Sequence, residues 1–223
     1  MTDLLEHLRQ EVLLCDGAMG SRVQQADLDI EIDYWGQENC TEILNLSRPD
    51  IVREIQAGFV AAGSDILLTN TFGGSPITLA EFDLQDKTHE INKRAGELAR
   101  EALGEFHRDG ISRYVLGDIG PGTKLPSLGQ IDYDELEAAL AAQSAGLLAG
   151  GVDGIMIETV QDILQLKAAV NGARMAMAEA GRQVPLLTQI TVETTGTMLV
   201  GTDIAGAATV INALGIDGMG LNC

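Results

Sequence analysis

The chain has 223 residues, 45% of them hydrophobic, and its 14 basic and 33 acidic side chains give a formal charge of −19. This composition is typical of a globular protein, and so negative a charge gives no support for binding nucleic acid or an anionic membrane. The three cysteines, Cys15, Cys40 and Cys223, show no CxxC spacing, so we expect a reducing, cytoplasmic location and no disulfide framework. No run approaches the roughly 18 apolar residues of a membrane helix, and the charged amino terminus lacks the features of a secretory signal.

Six short apolar runs predict β-strands. Each is followed by a polar or glycine-containing segment, and helical patterns fill the longer intervals between them. The starts of the runs are too far apart for hairpins but suit a strand, a helix and two loops, so the sheet is expected to be parallel. The predicted strands are residues 12–15, 66–69, 114–117, 154–157, 186–190 and 218–221.

Residues typical of helix starts and ends support the same repeat. Pro49 begins one helical pattern and Gly63 is its expected stop. Asp132 or Asp134 is expected to cap the next long helix, and Asp162 lies in the first turn of the one after it. The sixth strand has no helix after it.

The fold class follows from this repeat, for which an eight-stranded barrel and a doubly wound sheet compete. The first strand is followed by DGAMGS, which is not the GxGxxG fingerprint of a dinucleotide fold, so the (β/α)8 TIM-barrel type is favoured. Such a barrel usually takes about 250 residues. We therefore expect one domain, residues 1–223, with about six of eight βα units, incomplete at its carboxyl terminus and with apolar sheet edges. The connection over residues 21–48 is long enough to be functional or mobile.

Polar residues end every predicted strand, and in a βα barrel the chemistry gathers at those ends. Loops and helix caps also favour such residues, so each one alone has an ordinary structural explanation. In chain order the strand-end residues are Asp16 with the turn Gly17-Ala18-Met19-Gly20; Thr69, Asn70 and Thr71; Asp118; Glu158 and Thr159; Gln189, Thr191 and Glu193; and Asn222 and Cys223.

Asp16 and Glu158 indicate an amino-acid ligand. The backbone N–H groups of the glycine turn can face a carboxylate, while Asp16 can accept from an ammonium group. Glu158 ends a strand, has no basic neighbour in sequence and can also accept from an ammonium group. The alternatives are a capped glycine turn and a carboxylate that favours a helix start.

Histidine chemistry is not expected, because His7, His89 and His107 lie in polar or helical contexts away from strand ends. Cys15 is expected to line the barrel as a small apolar residue. Cys40 is expected to be an ordinary thiol.

Six ordered motifs resemble the homocysteine S-methyltransferase family. They are LLCDGAMGSRVQ, NLSRPDIVREIQAGFVAAGSDILLTNTFGG, GDIGPGTK, GGVDGIMIETVQD, TVETTGTMLVGTD and the terminal GMGLNC. The resemblance implies a (β/α)8 barrel that transfers a methyl group to the thiol of L-homocysteine, giving methionine.

The same resemblance implies a substrate pocket and a metal site. Zn²⁺ would be held by three cysteine thiolates, of which Cys223 matches the first and the other two have no counterpart among these residues. A thiol bound to zinc is deprotonated and still nucleophilic, so no catalytic residue beyond the metal site is needed. The residues implied to bind homocysteine or to line its neighbourhood are Asp16, Gly17, Ala18, Met19, Glu158, Thr69, Asn70 and Asn222.

The implied methyl donor is methylcobalamin, within a methylcobalamin and 5-methyltetrahydrofolate system, on another corrinoid-carrying domain or protein. Betaine and S-methylmethionine are the alternative donors in the family. A second hypothesis is an inactive or split barrel fragment that cannot hold zinc alone. A third, a barrel lyase or aldolase, would need a Schiff-base lysine, for which Lys124 and Lys167 are the nearest candidates.

Overall fold

A computed structural model describes residues 3–106 and 110–223. Over that range the chain forms one parallel sheet whose strands follow chain order, each hydrogen-bonded to the next. A doubly wound sheet reverses its strand order at a switch point, so the unbroken order is that of a barrel, in this chain a partial one. The strands are β1 (Ile66–Leu68), β2 (Tyr114–Ile119), β3 (Gly154–Val160), β4 (Leu186–Ile190) and β5 (Gly218–Leu221).

The longer helices connect successive strands and pack on the outer face of the sheet. Within the described residues, no helix is long and apolar enough to span a bilayer. The helices are α1 (Leu4–Gln10), α2 (Met19–Val23), α3 (Leu44–Ser47), α4 (Pro49–Ala61), α5 (Pro76–Leu79), α6 (Thr88–Gly104), α7 (Tyr133–Ala149), α8 (Ile163–Ala180) and α9 (Ile204–Ala213).

The predicted strand at residues 12–15 is wrong, whereas the other five predicted strands are confirmed. Cys15 forms only a single parallel bridge to Ile66. The N–H of Ile66 donates to Leu14 O at 3.0 Å, and the N–H of Asp16 donates to Ile66 O at 2.9 Å. This segment lies at the sheet edge beside β1, which is itself only three residues long, so the ladder ends after one bridge.

Both sheet edges expose apolar side chains, as the strand count predicts. At one edge Val12 is 90% exposed, and Leu14 beside it is also exposed. At the other edge Met219 and Leu221 of β5 are exposed. In a closed barrel each edge would be covered by a neighbouring strand.

The main core lies between the sheet and the long helices. Val115 and Ile155 point outward from β2 and β3 and pack with Leu147 of α7 and Leu166 of α8, all fully buried. At Gly117 an added Cβ would lie 2.9 Å from Leu147 Cδ1, so this glycine lets α7 approach the sheet closely.

The inner face of the sheet has two layers. Near the amino ends of the strands, Leu4 of α1 packs in an apolar cluster with inward-facing residues, namely Ile66, Tyr114, Leu116, Met156 and Leu187. Residues two apart on a strand share a face. The next inward layer is therefore more polar, because it contains Leu68, Asp118, Glu158 and Gln189.

The helix boundaries confirm most of the sequence signals. α4 begins at Pro49, and Gly63 follows its last turn with a φ of +108°. Asp162 caps α8 by accepting from the N–H of Leu164 at 2.8 Å. Asp132 occupies the N-cap position of α7, but its side chain makes no capping hydrogen bond.

The connection over residues 21–48 packs tightly in its second half. It contains a 3-10 turn at Thr41–Ile43 followed by α3. Cys40, Ile43 and Leu44 are fully buried there. This packing holds the connection beside the strand ends where the cavity lies.

Candidate active site

A cavity of about 710 Å³ lies at the carboxyl ends of the strands. Among the described residues that line it there is no lysine, arginine or histidine, whereas five carboxylates, Asp16, Glu42, Glu81, Asp118 and Glu158, are present. All residues predicted for the substrate and metal sites line this one cavity, namely Asp16, Gly17, Ala18, Met19, Thr69, Asn70, Glu158, Asn222 and Cys223.

Asp16 uses one carboxylate oxygen structurally and leaves the other unpaired. Its Oδ2 accepts from the N–H of Leu68 at 2.9 Å. Its Oδ1 is buried and has no hydrogen-bond partner among the described residues. Burial, together with the charge of Glu158, raises the pKa of Asp16 to about 7, although two backbone hydrogen bonds act in the opposite direction. A cationic group placed at Oδ1 would favour the ionised form.

The turn after Asp16 presents backbone donors. An added Cβ at Gly17 would lie 2.9 Å from Phe59 Cε1, so close packing on α4 requires glycine there. Within the described part of the chain, no acceptor reaches the N–H groups of Gly17, Ala18 and Met19. These donors are available to an anion.

Strand β3 is distorted where Glu158 enters the cavity. Its register against β4 shifts between Ile157 and Val160. Between them Thr159 has a φ of +56°, which is a genuine outlier for a β-branched residue. Such strain persists only where the surroundings impose it.

Asn222 at the end of β5 holds this distorted segment. Its Nδ2 donates to Glu158 Oε2 at 2.5 Å and to Thr159 Oγ1 at 2.9 Å. Its Oδ1 accepts from the N–H of Thr159 at 3.2 Å. One amide therefore fixes both the Glu158 carboxylate and the strained backbone beside it.

Asp118 lies beside Glu158 on the neighbouring strand. It pairs in register with Met156, so Glu158 is two residues further along the same face. Asp118 is only 4% exposed, and its Oδ1 has no N–H or O–H partner among the described residues. Burial first, and then the charge and hydrogen bond of Glu158, raise the pKa of Asp118 well above its ordinary value.

The end of β1 supports this arrangement through buried hydrogen bonds. Thr69 Oγ1 accepts from the N–H of Asp118 at 2.9 Å, and Thr71 Oγ1 donates to Asp118 O at 2.7 Å. Asn70 Nδ2 donates to Thr41 O at 2.7 Å. Thr69 and Asn70 line the cavity, but many of their hydrogen-bonding groups already have partners within the protein.

The cysteines do not form a cluster. Cys223 and Cys15 line the cavity, whereas Cys40 is buried elsewhere. Partial burial, together with the charges of Asp16 and Glu158, raises the pKa of Cys15 to about 11. The described residues contain no group of three or more His, Cys, Asp or Glu side chains that could hold a metal ion. A zinc ion therefore does not fit the described residues on their own.

Comparison with known proteins agrees with this geometry. The family model for homocysteine S-methyltransferase matches residues 13–223. The chain belongs to the homocysteine S-methyltransferase family. It is 46% identical over 222 residues to the methionine synthases of Mycobacterium leprae (strain TN) and Mycobacterium tuberculosis (strain ATCC 25618 / H37Rv). Those alignments cover all of this chain but only 18% of each relative.

Solved structures show the same fold. The homocysteine methyltransferase MmuM from Escherichia coli superposes with TM-scores of 0.80 in its oxidized form and 0.79 in its metallated form, at 18% identity. These superpositions cover 100% and 98% of this chain and 77% of the MmuM chain. The sheet is thus part of a TIM-barrel-type fold of this family.

Other predicted strand-end residues have different positions. Gln189 lines the cavity, whereas Thr191 lies behind it and donates to Asn222 O at 3.4 Å. Glu193 is exposed and does not line the cavity.

Candidate residues for other chemistries lie away from the cavity. His7 in α1 bonds the hydroxyl of Tyr114 at 3.0 Å, and His89 lies in α6, while His107 is outside the described residues. Lys124 and Lys167, the candidates for Schiff-base chemistry, do not line the cavity. The lyase hypothesis therefore has no support from the described site.

Glu42 is a cavity residue that sequence reasoning missed. It is buried, and its Oε1 accepts from the N–H of Gly73 at 2.6 Å. Burial raises its pKa. Its sequence context, a turn before α3, gives no sign of this position. Gly73 is an indirect sign of this position, because a side chain there would collide with Glu42. An added Cβ at Gly73 would lie 2.9 Å from Glu42 Oε1.

Proposed function

We propose that this chain is the homocysteine-binding part of a zinc-dependent methyltransferase of the methionine synthase type, which methylates the thiol of L-homocysteine to give methionine. The observation that carries the proposal is the unpartnered Oδ1 of Asp16, a residue that lines a cavity with no cationic side chain among its described lining residues. A buried carboxylate without a partner is costly, and a substrate ammonium group would satisfy it. Family membership supports homocysteine as the molecule that carries this ammonium group.

Each predicted residue then has a role. Asp16 and Glu158 bind the ammonium group of the substrate, and Asn222 holds Glu158 in place. The unpaired N–H groups of Gly17, Ala18 and Met19 bind its carboxylate. Thr69 and Asn70 shape the wall beside β1.

Zinc and the methyl donor belong to the proposal as well. Cys223 supplies one thiolate ligand, and the other ligands come from outside residues 1–223, because the described residues do not fit the ion alone. The chain spans 18% of the length of the methionine synthases it matches. We place the donor, methylcobalamin, on a separate corrinoid-carrying domain or protein, and the chain in the cytoplasm.

Calorimetric titration with two thiols tests the binding step. L-homocysteine carries the ammonium group, and 4-mercaptobutanoate has the same skeleton without it. We expect at least tenfold tighter binding of L-homocysteine, because an ion pair with a partly buried carboxylate is strengthened by reduced solvent screening. Asp16→Asn should abolish most of that preference, while Glu193→Gln, which removes a carboxylate outside the cavity, should keep it. Equal affinity of the native chain for both thiols would overturn the proposal.

A methyl-transfer assay with zinc present separates the donors. Methylcobalamin, betaine and S-methylmethionine are supplied in turn, and methionine is measured. Methionine formation with methylcobalamin supports the proposal, and activity with betaine alone would overturn the assignment of the donor.

Metal analysis separates an active chain from the fragment hypothesis, which the lack of a metal-ligand group among the described residues favours. A chain that binds no zinc and makes no methionine with any donor is an inactive or split fragment. Stoichiometric, tightly held zinc would contradict that hypothesis, provided that the metal does not bridge two chains through Cys223.

A further inference from the structure

Two carboxyl groups meet between strands β2 and β3. Asp118 and Glu158 are diagonal neighbours on one face of the sheet, both line the cavity, and the buried Oδ1 of Asp118 has no N–H or O–H partner among the described residues. Two carboxylates so close cannot both be ionised without strong repulsion. A proton on one of them removes that repulsion, and the protonated carboxyl can then donate a hydrogen bond to the other.

The surroundings decide which group holds the proton. Asp118 is 4% exposed, and the charged groups that act on it are the carboxylates of Asp16, Glu42 and Glu158. Glu158 is less buried and already accepts from Asn222 Nδ2. The proton therefore belongs on Asp118, as its raised pKa also indicates.

The backbone of Asp118 is fixed from two sides. Its N–H donates to Thr69, and its carbonyl accepts from Thr71 at 2.7 Å and from Gln143 Nε2 at 3.3 Å. Gln143 is itself buried in α7. A carboxyl group on so constrained a backbone has a well-defined position relative to its neighbour.

We propose that Asp118 is a positioning residue whose protonated carboxyl donates to Glu158, so that the Glu158 carboxylate stays oriented toward the substrate ammonium group. The inference rests on the proposed function, because it gives Glu158 that ligand. With donors from Asn222 and Asp118, the Glu158 carboxylate is held by two groups.

Two substitutions at Asp118 separate hydrogen bonding from charge. Asp118→Asn keeps a donor toward Glu158 and cannot ionise, whereas Asp118→Ala removes the donor. Glu193→Gln is the control, since it removes an exposed carboxylate that does not line the cavity. Each variant and the native chain are titrated with L-homocysteine and with 4-mercaptobutanoate.

We expect Asp118→Ala to weaken L-homocysteine binding at least tenfold and to change 4-mercaptobutanoate binding less than twofold. Asp118→Asn should restore the L-homocysteine affinity to within about threefold of the native value, and Glu193→Gln should leave the ratio of the two affinities unchanged. Loss of affinity for both thiols in equal proportion, or failure of Asp118→Asn to restore binding, would overturn the role of Asp118.

Infrared spectroscopy at neutral pH gives a readout that does not depend on the substrate. The native chain should show the C=O stretching band of buried protonated carboxylic acids, and Asp118→Asn should lose the part of that band that Asp118 contributes. Persistence of the full band in that variant would overturn the inference while leaving the proposed function intact. Native protein that does not distinguish the two thiols would instead refute the proposed function, and with it the positioning role of Asp118.

Discussion

Asn222 Nδ2 lies 2.5 Å from Glu158 Oε2 and thereby joins the ends of β5 and β3, although the two residues are 64 positions apart in sequence. The same amide group accepts from the strained backbone of Thr159. The orientation of the Glu158 carboxylate therefore depends on the last strand of the described sheet.

Replacing Asn222 should disturb both stability and binding. In Asn222→Ala the Glu158 carboxylate and the N–H of Thr159 lose their partner, and leaving such groups unpaired costs about 1–3 kcal/mol. Urea denaturation should show a loss of this size, and calorimetry should show weaker binding of L-homocysteine. Asn212→Ala, on the exposed side of α9, is the control and should be close to native. A native-like Asn222→Ala would show that this amide does not hold Glu158.

The raised pKa of Asp16 predicts a pH-dependent stability. The folded chain binds this proton more tightly than the unfolded chain, whose Asp pKa is near the ordinary 3.8. The stabilising effect is complete below pH 3.8 and is lost as the pH rises through about 7. In Asp16→Asn the free energy of unfolding should therefore fall less over this window than in the native chain. Parallel urea titrations at intervals of pH measure the difference, and identical slopes would contradict it.

The same titration should affect ligand binding in the opposite direction. The ionised form of Asp16 pairs with an ammonium group, so affinity for L-homocysteine should rise as the pH increases through about 7. Comparison with 4-mercaptobutanoate removes the contribution of the shared thiol and carboxylate. An L-homocysteine preference that does not change with pH would be inconsistent with this role of Asp16.

Two glycines of the turn make a matched pair. At Gly17 an added methyl group would lie 2.9 Å from Phe59 Cε1, whereas at Gly20 it would meet nothing within 4 Å. Overpacking costs about 1–3 kcal/mol, so Gly17→Ala should lower the free energy of unfolding by that amount. Gly20→Ala, within α2, should be neutral or stabilising by up to about 1 kcal/mol. Equal thermal stability of the two variants would contradict the packing argument.

Two helix caps make a second pair. Asp162 is fully buried and accepts from the N–H of Leu164 and from Ser127, whose N–H and hydroxyl lie 2.8 and 2.7 Å away. Asp162→Ala should therefore destabilise the chain by about 2 kcal/mol or more. Asp132→Ala removes a residue at the same position of α7 that makes no capping bond, so its effect should stay below about 0.5 kcal/mol. Chemical denaturation of both variants tests the contrast, which a larger loss at Asp132 would refute.

The fold class could be predicted from the sequence because each buried parallel strand is a short, continuous apolar run that can be recognised without knowing its neighbours. Five runs formed strands, and their order along the chain is their order in the sheet. The run ending at Cys15 failed because pairing depends on the neighbour, and β1 offers only three residues. Likewise aspartate is a residue type that often caps helices, but whether the Asp132 side chain accepts a capping hydrogen bond depends on its rotamer.

The site was partly predictable for the same reason. Asp16, Glu158 and Asn222 each follow an apolar run, and such positions converge at one end of the sheet. Asp118 was visible as a strand-end residue, but its contact with Glu158 depends on the register of β2 against β3. Glu42 reaches the cavity through tertiary packing of a long connection, for which no local pattern exists.

The apolar cluster that α1 completes inside the sheet has a kinetic consequence. Because Leu4 and its partners fill the inner face at the amino ends of the strands, we expect ligands to enter the cavity from the carboxyl ends. Under the proposed function, homocysteine and the methyl-bearing group share this entrance. A bulky methyl-bearing group there would block it, so we expect homocysteine to bind first and methionine to leave last.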